Sequence, residues 1–206
     1  AQKPFLEKKL KARGLRLLYS VPWPGQGLYS KDPVNSVDDL KGLKMRTYSP
    51  LTARLAELLG ASPIVVQTPE IPQMFATGAM QAMITSSATG TSTKAWEFVK
   101  HYYKTNAWNP KNAIVVNERA YRRLPAAEKK ALTSAAAAAE PRGWKMSKER
   151  EKGGDETLKK NGVTVSSPSP ALKKSLDKIG EQMAAEWEKS AGADGQALLK
   201  AYRSKK

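Results

Sequence analysis

The side chains that could do chemistry here are few. The chain has no cysteine and one histidine, His101. The common zinc sites therefore cannot form, and His101, in a run that reads as an aromatic helix, is expected to be a packed or surface residue. A Ser-His-Asp triad is compatible with the composition, but no Gly-x-Ser-x-Gly elbow supports one. What remains is recognition chemistry. Arg46 stands in Gly42-Leu-Lys-Met-Arg-Thr-Tyr-Ser-Pro50, where Leu43 and Met45 alternate with Lys44 and Arg46 at the two-residue period of a half-buried strand. Ser49 is a good N-cap and Pro50 suits a first helical turn, so strand gives way to helix there. Arg46 thus falls near the carboxyl end of a strand, where open α/β sheets bind ligands. A guanidinium at such a place either joins a surface ion pair or takes a carboxylate through two parallel hydrogen bonds. A second polar stretch, Thr85-Ser-Ser-Ala-Thr-Gly-Thr-Ser-Thr93, offers hydroxyls and backbone N–H groups between a strand and a helix. That suits an anion or simply caps the helix. It lacks the P-loop pattern, so a nucleotide is poorly supported.

The elements that must position these groups are legible from period and punctuation. A short helix over 4–13 ends at Gly14, a strand covers 15–21, and a turn-rich loop, Pro22-Trp-Pro-Gly-Gln-Gly27, carries Trp23 and Gln26. A second strand follows at 28–31. Ser36-Val-Asp-Asp39 has the form of a capping box. From Leu43 to Ser86 the order reads strand, helix, strand, helix, strand, which indicates an α/β architecture with a mainly parallel sheet. Residues 95–103 read as helical, 106–108 as an extension carrying Trp108, and 113–117 as an apolar strand. A long Ala-rich helix follows, in which Pro141 should introduce a kink and Gly153-Gly154 a weak point. A last strand at 163–165 precedes an amphipathic helix over 170–190 and a short helix over 194–203.

Length allows one or two domains. Lys and Arg total 35 against 19 Asp and Glu, a net charge of +16. The basic residues are spread along helical stretches with acids nearby, and no zinc-finger spacing, RNP-like signature or basic region organises them. A solvated basic surface that attracts anions is the reading adopted, with a polyanion- or nucleic-acid-binding module as the alternative. No apolar run reaches the length of a membrane span. The chain opens on Ala1 without a signal-peptide core, and reads as a processed product or a fragment.

Taken together, these segments resemble the periplasmic solute-binding proteins of TRAP transporters, of the DctP type. The resemblance covers essentially the whole chain. It rests on Ser36 to Gly42 running into Leu43-Lys-Met-Arg46, on Leu59-Gly-Ala-Ser-Pro63, on the helix–strand unit ending near Thr85, and on Val116-Asn-Glu-Arg-Ala-Tyr-Arg-Arg-Leu-Pro125. It implies a two-lobed α/β protein of the periplasmic-binding-protein type, with mainly parallel sheets and long C-terminal helices. Residues 1–21 would be the remnant of, and crossover from, the N-terminal lobe. Residues 22–112 would be mainly the ligand-binding C-terminal lobe, and residues 113–206 a return to the N-terminal lobe. It further implies an organic-acid ligand clamped by Arg46, membrane permease subunits as partners, a bacterial periplasmic location and no catalysis; beside it, no cofactor, no nucleic-acid partner and a monomer or homodimer are expected.

Three departures from the family pattern shape the expectation. Gln81-Ala-Met-Ile-Thr-Ser86 stands where the family often has Asp-Gly-Gln-Glu-Asn-Pro, so Thr85 replaces an asparagine that usually meets the ligand. Gln26 lies in a loop where some sialic-acid-binding relatives carry a second arginine. The family's first βαβ region has no counterpart here, so the first lobe is expected to be incomplete. With one charged clamp and the rings of Trp23, Tyr48 and Trp108, a less polar acid is expected, aromatic acids included. Arg46, Thr85, Ser86, Trp23, Gln26, Tyr48 and Trp108 are the expected binding residues.

Overall fold

In the computed structural model, which describes residues 2–204, the chain clusters into two units. The first comprises the chain up to Trp23, Lys111–Ser147 and the chain from Ala184; the second comprises Pro24–Pro110 and Lys148–Met183. The first unit begins with α1 (Gln2–Lys11) and β1 (Leu15–Pro22) and continues with β7 (Lys111–Asn117), α5 (Glu118–Arg123) and the first part of α6 (Ala126–Lys160). It ends in the last part of α7 (Pro170–Arg203), where the backbone leaves helical geometry at Gly192 and resumes as the expected tail helix. Its strands form an antiparallel ribbon, β1 against β7, in which Leu15 faces Asn117 and Pro22 faces Lys111.

The second unit is built on a six-stranded sheet. In chain order its elements are β2 (Gln26–Ser30), β3 (Lys44–Thr47), α2 (Pro50–Leu58), β4 (Ser62–Val65), α3 (Ile71–Ala76), β5 (Ala82–Ser86), α4 (Ser87–Ser92), β6 (His101–Tyr103) and β8 (Thr164–Ser166). The spatial order is β4-β3-β5-β2-β6-β8. The pairs β3–β4, β3–β5 and β6–β8 are parallel, and β2 runs antiparallel to both of its neighbours. The sheet is therefore mixed and mostly parallel. Successive residues point to opposite faces, and each face has its own core. Leu28, Met45, Ile84 and Tyr103 pack with Leu55 and Leu59 of α2 and Leu172 of α7. Tyr29, Met83 and Tyr102 pack with Ile71, Met80, Val99 and Leu158.

Three expectations are corrected. Residues 101–103 are a strand, with His101 stacked on Tyr103 at 6.0 Å between centroids, because ladders to both β2 and β8 are available there. Residues 148–183 do not return with the rest of 113–206 to the first lobe. They cluster with the second unit, since β8 extends its sheet and Leu158 and Leu172 are fully buried in its two cores. α6 continues as one helix through Pro141, where the kink was expected, and is not broken at the Gly153-Gly154 pair. At Gly154 a side chain would meet Ser87 Oγ at 2.8 Å, so that glycine admits close packing where a weak point was expected.

Gly27 is the tightest constraint on the sheet. A Cβ there would lie 2.3 Å from the Tyr102 ring and 2.6 Å from the Tyr103 carbonyl oxygen. The ring can shift only against its stacked partner Tyr29, 4.3 Å away, and the backbone oxygen cannot shift without breaking the ladder. Gly27→Ala should destabilise the protein by roughly 1–3 kcal/mol, read as a lower urea midpoint. In the first unit, Arg16 and Arg122 hydrogen-bond Glu118 and hold its carboxyl at about 2, below its ordinary value of 4.5. A carboxylate depressed on folding stabilises above its unfolded value and loses that contribution as pH falls through the folded one. Glu118→Gln should accordingly flatten the stability–pH curve between pH 4.5 and about 2, measured by urea unfolding at stepped pH.

Candidate functional site

The carboxyl ends of β3, β4 and β5 lie together, and because β2 is antiparallel its first residue joins them: Gln26 faces Ser86 and Gly27 faces Thr85. Arg46 lies on β3 between β4 and β5, with Ile64 and Met83 beside it. Met45 enters the α2 side of the sheet, so Arg46 emerges on the opposite face. It is only 6% exposed. Nε donates to the Val66 carbonyl at 2.9 Å and Nη2 to Thr68 Oγ1 at 3.3 Å. Among the described residues no carboxylate pairs with Arg46, and no acceptor takes Nη1. The Arg46 Cζ lies 5.0 Å from the centroid of the Tyr48 ring. Burial pulls the Arg46 pKa below its ordinary value, an effect that Tyr48 opposes. An arginine nonetheless stays charged, so the arrangement is a desolvated cation with open donors and no counter-ion.

The turn after β3 is fixed by reciprocal hydroxyls. Ser49 Oγ accepts from the Thr52 N–H at 3.2 Å, and Thr52 Oγ1 accepts from the Ser49 and Tyr48 N–H groups, each at 3.0 Å. Pro50 opens α2. This holds the Tyr48 backbone, and the residue as a whole is 40% exposed. Burial raises the Tyr48 pKa, and hydrogen bonding with Trp108 and the Arg46 charge both oppose it. Arg46, Tyr48 and Trp108 are thus brought together. Trp108 is positioned from β2: the Gln26 N–H donates to the Trp108 carbonyl at 3.1 Å, and the Gln26 carbonyl accepts from the Ala107 N–H at 2.9 Å and Thr105 Oγ1 at 3.1 Å.

The remaining expected residues have different environments. Thr85 is 4% exposed, and its hydroxyl has no hydrogen-bond partner among the described residues. Ser86 is fully buried, and its Oγ caps α4 by accepting from the Thr89 N–H at 3.2 Å and lies 3.2 Å from Thr89 Oγ1. That hydroxyl is engaged within its own helix. The buried Gln26 amide donates to the Pro24 carbonyl at 2.8 Å, which shapes the loop. Trp23 belongs to the first unit, where its indole N–H donates to Asn112 Oδ1 at 3.1 Å. The sequence reading missed Val66 and Thr68, which orient the guanidinium. The signal was present, since Thr68-Pro69 marks the end of the strand that must lie next to β3. Among the described residues no group of three or more His, Cys, Asp or Glu could hold a metal ion, and no helix is long and apolar enough to cross a membrane.

Comparison with known proteins bears on this geometry. Residues 2–190 match the family described as bacterial extracellular solute-binding protein, family 7 (DctP). Among solved structures, the chain is similar to DctP6 of Bordetella pertussis, an extracytoplasmic solute receptor binding pyroglutamic acid, with 49% identity and a TM-score of 0.95 over 98% of this chain and 67% of that one. DctP7 of the same organism, likewise described as binding pyroglutamic acid, matches at 46% identity and a TM-score of 0.94, with 98% and 67% covered. A TRAP solute-binding protein from a marine metagenome, of an unidentified microbe and specific for pyroglutamate, matches at 40% identity and a TM-score of 0.94, with 98% and 66% covered. The chain spans about two thirds of the length of each of these structures.

A buried cation without a counter-ion contributes little to folding, because its desolvation offsets the hydrogen bonds it makes. Removing one half of a structural buried ion pair, by contrast, costs about 3–5 kcal/mol. Arg46→Met should therefore change the unfolding free energy of the ligand-free protein by no more than about 1 kcal/mol, measured by urea denaturation. A loss in the ion-pair range would place a hidden anionic partner against Arg46.

Proposed function

The chain belongs to family 7 of the bacterial extracellular solute-binding proteins, the DctP family, and we propose that it captures a small organic acid in the periplasm for a TRAP-type permease. Pyroglutamate is the first ligand to try, since receptors at 40–49% identity are described as binding it. The observation that carries the reading is Arg46: 6% exposed, oriented by Val66 and Thr68, and with Nη1 and one Nη2 hydrogen free. A carboxylate meeting that edge accepts two parallel, charge-assisted bonds.

The other groups suit the rest of such a ligand. Pyroglutamate has one carboxylate on a compact uncharged lactam ring, so a single cation matches its charge, and Gln26 in place of a second arginine fits a monoanion. The faces of Tyr48 and Trp108 are apolar walls for the ring. The Thr85 hydroxyl can either donate to the lactam carbonyl or accept from its N–H. Ser86 and Gln26 act through the helix cap and the loop they hold, and Trp23 stays outside the proposed set. Aromatic acids, expected from the single charged clamp together with the rings of Trp23, Tyr48 and Trp108, are the second group to test. Binding without chemistry is the proposed activity.

Calorimetry with pyroglutamate tests the clamp. Arg46→Ala leaves the carboxylate desolvated and unpaired, a loss of about 2–5 kcal/mol, so affinity should fall at least tenfold. Arg46→Lys should recover little, because a single ammonium cannot reproduce the planar fork. Unchanged binding in Arg46→Ala would remove Arg46 from the site. A thermal-shift panel of pyroglutamate, benzoate and glucuronate fixes the ligand class. Silence across that panel, combined with salt-sensitive binding of any DNA duplex, would favour the polyanion reading.

A further inference from the structure

The second unit buries one acid that the solute reading does not use. Asp155, on α6, is buried. Its Oδ2 takes the Lys104 ammonium at 2.6 Å, while its Oδ1 has no hydrogen-bond partner among the described residues. An ion pair with one oxygen unspent is a poor way to stabilise a core, since well-packed apolar residues of similar volume do as well or better. What the pair supplies is a fixed direction between two elements.

Asp155 does not act alone. Residues 151, 154, 155 and 158 follow the three-and-four spacing of one helical face, and the contacts of that face converge on the edge that holds Thr85. Ser87 Oγ donates to the Glu151 carbonyl at 3.2 Å. Gly154 approaches so closely that a Cβ there would lie 2.8 Å from Ser87 Oγ and 3.1 Å from the Ser87 backbone carbonyl carbon. Leu158 is fully buried with Tyr29, Met83 and Tyr102. Ser87 directly follows β5 and stands two residues beyond Thr85, and Lys104 directly follows β6, where the 105–108 loop begins. Both segments meet on β2, which lies between β5 and β6. Gly27 faces Thr85, Gln26 faces Ser86, and the Gln26 carbonyl accepts from the Ala107 N–H. One stretch of α6 therefore braces the ends of two strands, one on either side of β2.

We propose that this stretch of α6 is a clamp that sets the position of the Thr85 hydroxyl and of the 105–108 loop, with Gly154 and Asp155 as positioning residues for the uncharged end of the solute. The inference rests on the solute reading, in which Arg46 meets the carboxylate and Thr85 the lactam. A neutral hydrogen bond weakens steeply with misplacement, so the lactam contact depends on where Thr85 is held. Thr85, Ser86 and Ser87 are consecutive, and Tyr29 Oη donates to the Ser86 carbonyl at 3.1 Å. A displacement of Ser87 is thus passed to Thr85 through a short and already tethered backbone. Arg46 is oriented by other groups, Val66 and Thr68. The charged and uncharged ends of the solute are accordingly positioned by different elements, and a change in α6 alters one without the other.

Calorimetry comparing pyroglutamate with cyclopentanecarboxylate tests this, because the second acid keeps the ring size and the carboxylate but lacks the lactam. Gly154→Ala and Asp155→Asn should each weaken pyroglutamate about fivefold, the worth of one well-placed hydrogen bond, and leave cyclopentanecarboxylate within about twofold. Gly153→Ala is the matched control: nothing lies within 4 Å of a Cβ there, and neither affinity should move. Equal weakening of both acids in the α6 variants, as a role in folding alone would give, or no weakening of either, would overturn the proposal. If Gly154→Ala does not fold, Asp155→Asn carries the comparison. Hydrogen exchange on the ligand-free protein is the second measure. The Gln26 and Ala107 N–H groups, which close the loop onto β2, should exchange severalfold faster in Asp155→Asn than in Gly153→Ala. Binding of neither acid by the unaltered protein would remove the solute reading, and unchanged exchange at those two amides would overturn the clamp itself.

Discussion

Arg46 carries a permanent charge with almost no water around it, and much of the second unit can be understood as the means of keeping it there. Its stem leaves a strand with a neighbour on either side, so the backbone under it is fixed by two ladders. The Val66 carbonyl and the Thr68 hydroxyl hold the inner edge of the guanidinium, which settles the plane in which the outer edge must be met. In a region of low effective dielectric such a charge attracts an anion more strongly than it would in water. The fold bears that desolvation, and on the proposed reading a carboxylate ligand would relieve it.

The sheet topology makes that edge a place as well as a charge. β2 runs against its neighbours, so the start of one strand falls beside the ends of three others. Gln26, through both of its backbone groups, then ties the 105–108 loop to the same edge. Two separate cores, one on each face, hold the sheet rigid beneath these contacts. The polar residues of the edge divide into those that already make local hydrogen bonds, such as Gln26 to the Pro24 carbonyl and Ser86 within the α4 cap, and those without a partner among the described residues, such as the Thr85 hydroxyl and the outer donors of Arg46.

How much of this could be read from the sequence follows the range of the interactions. Ser49-Pro50 and Ser36 to Asp39 were legible because a cap is decided within four residues, and both capping boxes form. The strand around Arg46 was legible from alternation. His101 to Tyr103 was not, because three residues have no period to show and their conformation is imposed by the partners β2 and β8. The same holds for Gln26: nothing in the sequence shows that its amide donates to the neighbouring Pro24 carbonyl. The placement of 148–183 with the second unit depended on contacts between residues far apart in sequence, such as His101 with Thr164, and no local signal encodes those.

That placement has a consequence for how the protein comes into being. The second unit is made from two stretches of chain with Lys111–Ser147 between them, so pairing β6 with β8 closes a long loop and belongs to the slow, non-local part of folding. Until it forms, the outer edge of β6 is unpaired and the slots for Leu158 and Leu172 are empty. An unpaired edge beside an open apolar slot is the kind of surface that recruits the wrong strand. Folding therefore passes through a vulnerable interval, which closes only when residues 148–183 dock.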